Sequence, residues 1–395
     1  MASLLIAIIY MAFISLGLPD ALLGSAWPVM YSQLGVPLSY MGIISMIIAL
    51  GTIFSSLASD FLTRKLGTGL VTALSVFMTA AALFGFSAAD SFIALCVIAV
   101  PYGLGAGAVD AALNNYVALH FSSKHMSWLH CFWGVGASVS PYIMGFCLTS
   151  GLGWQKGYFS VSVIQIILTV ILFISFPLWK KRSEKNEENS SNVVGLRGAF
   201  KIKGVPYVMA AFFCYCALES TAGLWASSYL SEYRGTSEET AAMFASLFYF
   251  GITIGRFACG FISEKAGDKR LIRIGVCAAA AGVAMILLPL KTDISALAGL
   301  VVTGVGCAPI YPSIIHSTPA NFGKENSQSI IGIQMACAYT GTTLMPTFFG
   351  VLADNIGIFL YPVYLLIFAL ILGTMSELLS KATSSKNCNR IVNKL

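Results

Sequence analysis

The chain has 395 residues, of which 57% are hydrophobic and only 10% charged, with a formal net charge of +6. Soluble domains usually carry about 25% charged residues, so this chain lacks the polar side chains that would cover a water-facing surface. The composition excludes an ordinary soluble protein and indicates a lipid bilayer as its surroundings, and nothing in the placement of the basic residues suggests a nucleic-acid partner.

The first apolar segment begins "MASLLIAIIYMAFISLGLPDALLGSAWPVM". It has no basic residue at its start and stays apolar beyond a plausible cleavage site, so we expect a retained helix and not a signal peptide. Several residues that weaken a helix lie in its second half: Gly17, Pro19, Gly24 and Pro28. Broken helices are tolerated at membrane depth only beside a cavity. Asp20 and Trp27 are therefore candidate ligand contacts, although Trp27 could equally mark the outer membrane interface.

Apolar runs of the roughly 20 residues that cross a bilayer recur along the whole chain. We predict an all-α membrane protein with twelve transmembrane helices, over residues 3–31, 38–62, 67–89, 91–120, 125–150, 154–179, 204–232, 238–264, 270–289, 293–320, 326–353 and 355–380. An even number of spans places both termini on the same side of the membrane.

The basic residues indicate which side that is. Most of the 23 Lys and Arg residues fall in the C-terminal tail and in the even-numbered connections, whereas the opposite face holds only Lys156, Arg234 and Lys291. Cytoplasmic loops are enriched in Lys and Arg. We therefore expect a multi-pass protein of the plasma membrane with both termini in the cytoplasm.

The chain also divides near its midpoint. The one long polar connection, residues 180–204, separates a predicted six-helix bundle at 1–179 from a second at 205–380, and a cytoplasmic tail follows at 381–395. Two short patterns recur about half a chain apart, which indicates an internal duplication. They are "GLG" at 103–105 with "GVG" at 304–306, and the spacing Gly136, Pro141, Gly145 with Gly341, Pro346, Gly350.

The stretch "GLGAGAVDAALNNYVALH" places Asp110 in the middle of the predicted fourth span. A charge near the bilayer centre costs about 2.5–3.5 kcal/mol, which is tolerated where the group faces an aqueous cavity or has a partner. Asp110 and Asn114 are four residues apart and share a helical face with Gly103 and Gly107. The pair could simply join two helices. However, burial raises the pKa of a carboxyl group toward cellular pH, and a proton carrier requires this. Asp110 is therefore the first candidate for proton coupling.

An acidic residue followed by basic ones closes spans two and eight: Asp60 with Arg64 and Lys65, and Glu264 with Lys265. Together with the six-plus-six arrangement and the basic linker, this pattern resembles the major facilitator superfamily. The resemblance implies two pseudo-symmetric six-helix bundles that carry a small-molecule solute by alternating access. We expect structural ion pairs between Asp60 and Arg64 and between Arg256 and Glu264, and we expect a monomer.

Within the superfamily, three positions are similar to the fucose permease group of sugar–proton symporters. These are Asp20 in the first span, Asp110 with Asn114 in the fourth, and His130 in "LHCFWGVG" of the fifth. Fucose permease has Glu and Gln where this chain has Asp110 and His130. The resemblance implies proton coupling through Asp20 and Asp110, and contacts from Asp20, Asn114 and His130 to the solute.

The second half contributes further candidates. Glu219 lies in span seven, the counterpart of span one, and is a candidate for proton coupling or solute binding, with a structural pair to Arg256 as the alternative. Amides and aromatic faces suit sugars because they bind hydroxyl groups and stack on C–H surfaces. The remaining candidate solute contacts are Asn115, Trp133, Trp225, Tyr311, His316, Gln334 and Tyr339.

Two functions remain open at this point. The first is proton-coupled symport of a sugar or sugar-like compound, with sodium as the alternative coupling ion. The second is proton-driven export of drugs or metabolites, because "SPYIMGF" at 140–146 half matches a glycine-rich motif of such antiporters. We find no HExxH metal motif and no GxSxG nucleophile motif, so we expect neither an enzyme nor a cofactor.

Overall fold

The computed structural model describes residues 2–183, 196–288 and 294–392, and they form α-helices joined by short connections, with no strand among them. The helices group into two compact units. The segment Val117–Ser127 belongs to the second unit. It consists of the end of the helix Phe92–His120, a short connection, and the start of the helix Ser123–Thr149, and the rest of both helices belongs to the first unit. About half of the predicted linker 180–204, residues 184–195, lies outside the described residues.

The first half of the chain contains eight α-helices within the described residues. They are α1 Ala2–Asp20, α2 Leu22–Gln33, α3 Met41–Leu66, α4 Thr68–Ala88, α5 Phe92–His120, α6 Ser123–Thr149, α7 Gly153–Ile174 and α8 Phe176–Ser183. A single 3-10 turn, Leu38–Tyr40, precedes α3.

The second half also contains eight α-helices in its described part. They are α9 Leu196–Ala199, α10 Val205–Ser228, α11 Glu238–Ala266, α12 Asp268–Leu287, α13 Ile294–Cys307, α14 Ile310–Phe322, α15 Lys324–Asn355 and α16 Tyr361–Val392. The helix α10 continues into a π-helical turn, Tyr229–Tyr233, and the 3-10 turn Ile358–Leu360 precedes α16.

Eleven helical segments in the described residues are long and apolar enough to cross a membrane, with α1–α2 and α13–α14 each counting as one. The twelfth is α15, which begins with a polar stretch that includes Asn326, Ser327 and Gln328. These side chains are buried inside the second unit, so α15 does not have to present them to lipid. Twelve spans, all helical, are therefore confirmed.

The first span is broken where its sequence is weakest. The helix α1 ends at Asp20, Ala21 forms a turn, and α2 starts at Leu22. Pro19 contributes to this break because it lacks the amide hydrogen that an uninterrupted helix needs. The break places the Asp20 carboxylate at the end of a helix inside a membrane span, as the sequence predicts.

The repeated glycines make equivalent contacts in the two units. A methyl group at Gly103 of α5 would collide with the carbonyl oxygen of Ile48 in α3, and one at Gly304 of α13 would collide with that of Phe248 in α11. In each unit, the fourth span therefore packs on the second with backbones almost in contact, which requires a residue without a side chain.

The fifth spans repeat this arrangement against the first. A methyl group at Gly136 of α6 would collide with the carbonyl oxygen of Ile14 in α1, and one at Gly341 of α15 would lie 2.7 Å from that of Phe213 in α10. The same sequence spacing thus gives the same helix packing twice, which supports the predicted duplication. In the first unit this packing brings α1, α5 and α6 together, and they carry most of its candidate site residues.

Candidate functional site

Asp110 and Asn114 form a buried pair on one face of α5. Asn114 Nδ2 donates to Asp110 Oδ1 at 2.8 Å and to the Asp110 carbonyl oxygen at 3.0 Å. Asn114 is fully buried and Asp110 is 8% exposed. The spacing of four residues makes this contact possible within a single helix, and the two hydrogen bonds fix the orientation of the Asp110 carboxyl group.

His130 extends this pair to a second helix. Its Nε2 lies 3.1 Å from Asn114 Oδ1, and since an amide oxygen only accepts, Nε2 carries the hydrogen. The ring is buried and meets the edge of Phe13 on α1, with ring centres 5.5 Å apart. A carboxyl group, an amide and an imidazole are therefore connected in series across α5 and α6.

Asp20, the last residue of α1, contacts α6 one turn further along from His130. Trp133, three residues after His130 on α6, donates from Nε1 to Asp20 Oδ2 at 2.9 Å. Asp20 is exposed, Trp133 is half-buried, and Asp110 is close enough to act on Asp20 electrostatically. The first unit thus holds two neighbouring carboxylates, one buried and one accessible, with an indole and an imidazole on the helix beside them.

Close helix packing fixes these side chains. A methyl group at Gly17 would collide with the carbonyl oxygen of Trp133, and one at Gly107 would collide with that of Thr52. Ser56 on α3 also donates to the Gly107 carbonyl oxygen at 3.2 Å. The neighbours of Asp110 and Asp20 are therefore held by backbone contacts, as the glycines on the Asp110 face predicted.

The second unit contains a partly buried ion pair between Glu219 of α10 and the buried Arg256 of α11. Arg256 Nη2 lies 3.4 Å from Glu219 Oε1, with side-chain exposures of 5% for the arginine and 18% for the glutamate. The expected pair of Arg256 with Glu264 is not what the structure has, because Glu264 instead accepts from Ser122 at 2.6 Å. The alternative pairing of Glu219 with Arg256 is the one observed.

Tyr215 and Tyr311 lie near this ion pair, and Tyr215 was not among the predicted site residues. Tyr215, one helical turn before Glu219, lies 3.5 Å from Arg256 Nη2 and donates to the Cys307 carbonyl oxygen at 3.1 Å. Its ring centre is 5.9 Å from that of Tyr311. The spacing of four residues from Glu219 was the available signal for Tyr215.

Several predicted residues have structural partners in the second unit. Trp225 donates to the Pro346 carbonyl oxygen at 3.0 Å, and the buried Gln334 hydrogen-bonds Thr318. Tyr311 donates to Met335 Sδ at 3.2 Å. Tyr339 is half-buried on α15. The structure brings Tyr311 close to the ion pair and fixes Trp225 between α10 and α15.

His316 belongs to a polar cluster at the segment Val117–Ser127. Its Nδ1 lies 2.7 Å from Asp268 Oδ2, and its Nε2 lies 3.4 Å from the Phe121 carbonyl oxygen. Ser123 also donates to Asp268 Oδ1, at 2.8 Å. His316 therefore ties α14 to the start of α12 and to this segment.

The structure also shows the surroundings of three other predicted sites: Trp27, the Asp60–Arg64 pair and Asn115. Trp27 is buried in the apolar core of the first unit and donates to the Leu38 carbonyl oxygen at 2.7 Å, so the structure gives it a packing role. The ion pair between Asp60 and Arg64, one turn apart on α3, is present. Asn115 is buried beside Asn114 on α5.

Metal ligands do not converge in the described part of the chain, where no three His, Cys, Asp or Glu side chains form a potential metal site. The arrangement instead consists of hydrogen-bonded carboxylates, amides and aromatic rings inside membrane-spanning helices. Such groups can take up a proton and bind a polar solute.

Comparison with known proteins identifies the family. The model of the Major Facilitator Superfamily matches residues 6–290 and 208–387. The chain belongs to this superfamily. Its members are transporters, so the protein is a multi-pass membrane transporter and not an enzyme.

The hexuronate transporter of Bacillus subtilis (strain 168) is 25% identical over 367 residues, which cover 85% of this chain and 84% of that protein. A variant of the E. coli fucose:proton symporter FucP superposes with a TM-score of 0.76 at 17% identity, over 96% of this chain and 98% of that one. The proton:xylose symporter XylE also superposes with a TM-score of 0.76, at 12% identity, over 95% of this chain and 94% of that one. The resemblance to fucose permease is thus confirmed at the level of the fold.

Proposed function

We propose that this superfamily member is a proton-coupled symporter that moves a sugar or sugar-like solute across the membrane by alternating access. The fucose:proton symporter, the proton:xylose symporter and the hexuronate transporter support this solute class. The choice of the proton as coupling ion rests on the residues of the first unit.

The series Asp110, Asn114 and His130 carries the proposal. A carboxyl group 8% exposed inside a membrane span is costly as an anion, and Asn would suffice if its only role were to join helices. Asn114 holds the carboxyl group in place by its hydrogen bond to Oδ1. Protonation of Asp110 removes the buried charge, so the two protonation states favour different surroundings, and a coupled conformational cycle depends on that difference.

The accessible carboxylate of Asp20 is the proposed solute contact. It accepts from Trp133 and can also accept hydrogen bonds from solute hydroxyl groups, while the indole offers an apolar face for sugar C–H groups. In the second unit, Glu219 is paired with Arg256. That pair leaves no net charge, so it does not favour one sign of solute charge over the other.

We propose a monomer in the plasma membrane with both termini in the cytoplasm, driven by protons. The orientation rests on the basic residues, since Lys65 and Arg64 end α3 and Lys269 begins α12. These helix ends lie on the side that retains Lys and Arg.

The test is uptake by the purified protein in liposomes, with fucose, xylose and glucuronate as probes and an imposed pH gradient, acidic outside. Symport predicts accumulation of at least one probe, abolished by a protonophore and unchanged when sodium is replaced by potassium. Loss of preloaded probe, driven by the same gradient, would instead indicate export and would overturn the proposal.

The matched variant is Asp110→Asn. An asparagine keeps an oxygen that accepts from Asn114 and removes the titratable group. We expect gradient-driven accumulation to disappear while solute exchange between the two sides continues. Asp90→Asn, an exposed residue outside the helices, is the control and should accumulate solute normally. Normal accumulation by Asp110→Asn would exclude Asp110 as the coupling residue.

A further inference from the structure

The second unit contains a pocket at one end of α12, α14 and α16, distinct from the Glu219–Arg256 pair. It is a shallow pocket that is open to the outside. Its polar lining comes from three helices: Lys269 and Arg273 of α12, Ser317 and Asn321 of α14, and Ser376 and Glu377 of α16. We call it the α12–α16 pocket.

The α12–α16 pocket has an excess of positive charge. Arg273 and Glu377 form a bidentate ion pair, with Arg273 Nη2 2.8 Å from Glu377 Oε2. Lys269 and Lys381 also act electrostatically on Glu377. Lys269 and Arg273 line the pocket and Lys381 lies near it, so three cations accompany one carboxylate and leave a net charge of about +2 to attract an anion.

The inner part of the pocket combines apolar walls with an unsatisfied hydroxyl group. Ile272, Ile314 and Leu379 line it and are buried. The Ser376 Oγ atom is buried and has no hydrogen-bond partner among the described residues. A buried hydroxyl group without a partner costs free energy, and a ligand could recover it only by displacing the side chains that cover Ser376.

An exposed apolar surface continues from the pocket along the membrane-spanning helices. Leu370 lies seven residues before Glu377, on the same face of α16, and is 59% exposed. On α12, Cys277 lies four residues after Arg273, on the same face, and is exposed. A ligand with an anionic head and long apolar chains would match both the charged pocket and this surface.

We propose that the α12–α16 pocket binds the phosphodiester head group of an anionic membrane phospholipid, whose acyl chains lie along α12 and α16. The phosphate oxygens accept hydrogen bonds from Lys269 and Arg273. A soluble anion would use the same basic residues but would gain nothing from the apolar surface. Anionic lipid head groups are bound by basic pockets of this kind between membrane-spanning helices. This site goes beyond the transport function, because it lies outside the residues proposed for the solute and the proton.

The test measures lipid binding to the purified full-length protein in detergent by native mass spectrometry, with phosphatidylglycerol, phosphatidylcholine and inorganic phosphate as probes. The variant Lys269→Gln with Lys381→Gln removes two charges and keeps the Arg273–Glu377 pair. Each basic side chain contributes roughly fivefold to the affinity for anionic lipid, so we expect about 25-fold weaker phosphatidylglycerol binding. Phosphatidylcholine should bind weakly to both proteins.

The control variant is Lys65→Gln with Lys324→Gln, which removes two exposed charges from the ends of other helices. It should bind phosphatidylglycerol within about twofold of the unmodified protein. Equal weakening in both double variants would show only general attraction to a basic surface and would overturn the proposal. Displacement of phosphatidylglycerol by millimolar inorganic phosphate would also overturn it, in favour of a soluble anion.

Discussion

Removal of one partner of the Glu219–Arg256 pair should have a different effect depending on which partner is removed. At 3.4 Å and an effective dielectric constant of about 20, the attraction is 332/(20 × 3.4), or about 5 kcal/mol. Loss of one member of a buried pair typically costs about 3–5 kcal/mol. We therefore expect Glu219→Gln to lower the free energy of unfolding by an amount in that range.

The two single variants differ because of the charge that each leaves behind. Without Glu219, the buried Arg256 keeps its charge at every accessible pH. Without Arg256, Glu219 can take up a proton and become neutral. Arg256→Gln should therefore be less destabilising than Glu219→Gln, and the double variant should be more stable than Glu219→Gln alone.

The assay is thermal unfolding of each variant in the same detergent. The exposed pair Arg273–Glu377 serves as the control, and its two glutamine substitutions should show little coupling. Equal destabilisation by Glu219→Gln and Arg256→Gln, with strictly additive effects in the double variant, would refute the reasoning, because it would mean that the two charges do not interact.

Two further predictions concern the first unit. Gly136→Ala should reduce stability by at least about 1–3 kcal/mol because the added methyl group collides with backbone of α1. Gly145→Ala on the same helix has open space, so it should unfold at the original temperature or slightly above it, because alanine favours a helix more than glycine does. Equal unfolding temperatures for the two variants would contradict the packing. Trp133→Phe removes the hydrogen bond to Asp20 and should weaken solute affinity about tenfold, a loss of 1.4 kcal/mol, measured as the half-saturating concentration in solute exchange. Trp27→Phe, in the core, should lower the unfolding temperature and leave that concentration unchanged, and the opposite pattern would contradict both assignments.

The sequence predicted those features that depend on local spacing. The helix break at Asp20 follows from proline chemistry, and the contacts of Asp110 with Asn114 and of Asp60 with Arg64 follow from a spacing of four residues on one helix. The twelve spans follow from hydropathy, because a bilayer permits only helices of a limited range of lengths.

Contacts between different helices were predicted less well. Arg256 lies two turns before Glu264 on the same helix, yet it pairs with Glu219 of α10. That contact depends on how α11 packs against α10, which spacing along a single helix does not determine. Trp27 was a candidate solute contact, with the membrane interface as the alternative, and its burial depends on how α2 packs against its neighbours. The bond from His130 to Asn114 likewise depends on the register between α5 and α6.

Proton movement during solute transport tests the central claim most directly. A pH-sensitive dye inside liposomes that contain the protein would report protons entering when fucose, xylose or glucuronate is added outside, with no gradient imposed. The account predicts acidification of the interior with a transported probe, and none in Asp110→Asn even though that variant exchanges solute. Transport of a probe without any acidification, or acidification that persists in Asp110→Asn, would contradict the assignment of Asp110 as the proton-carrying group.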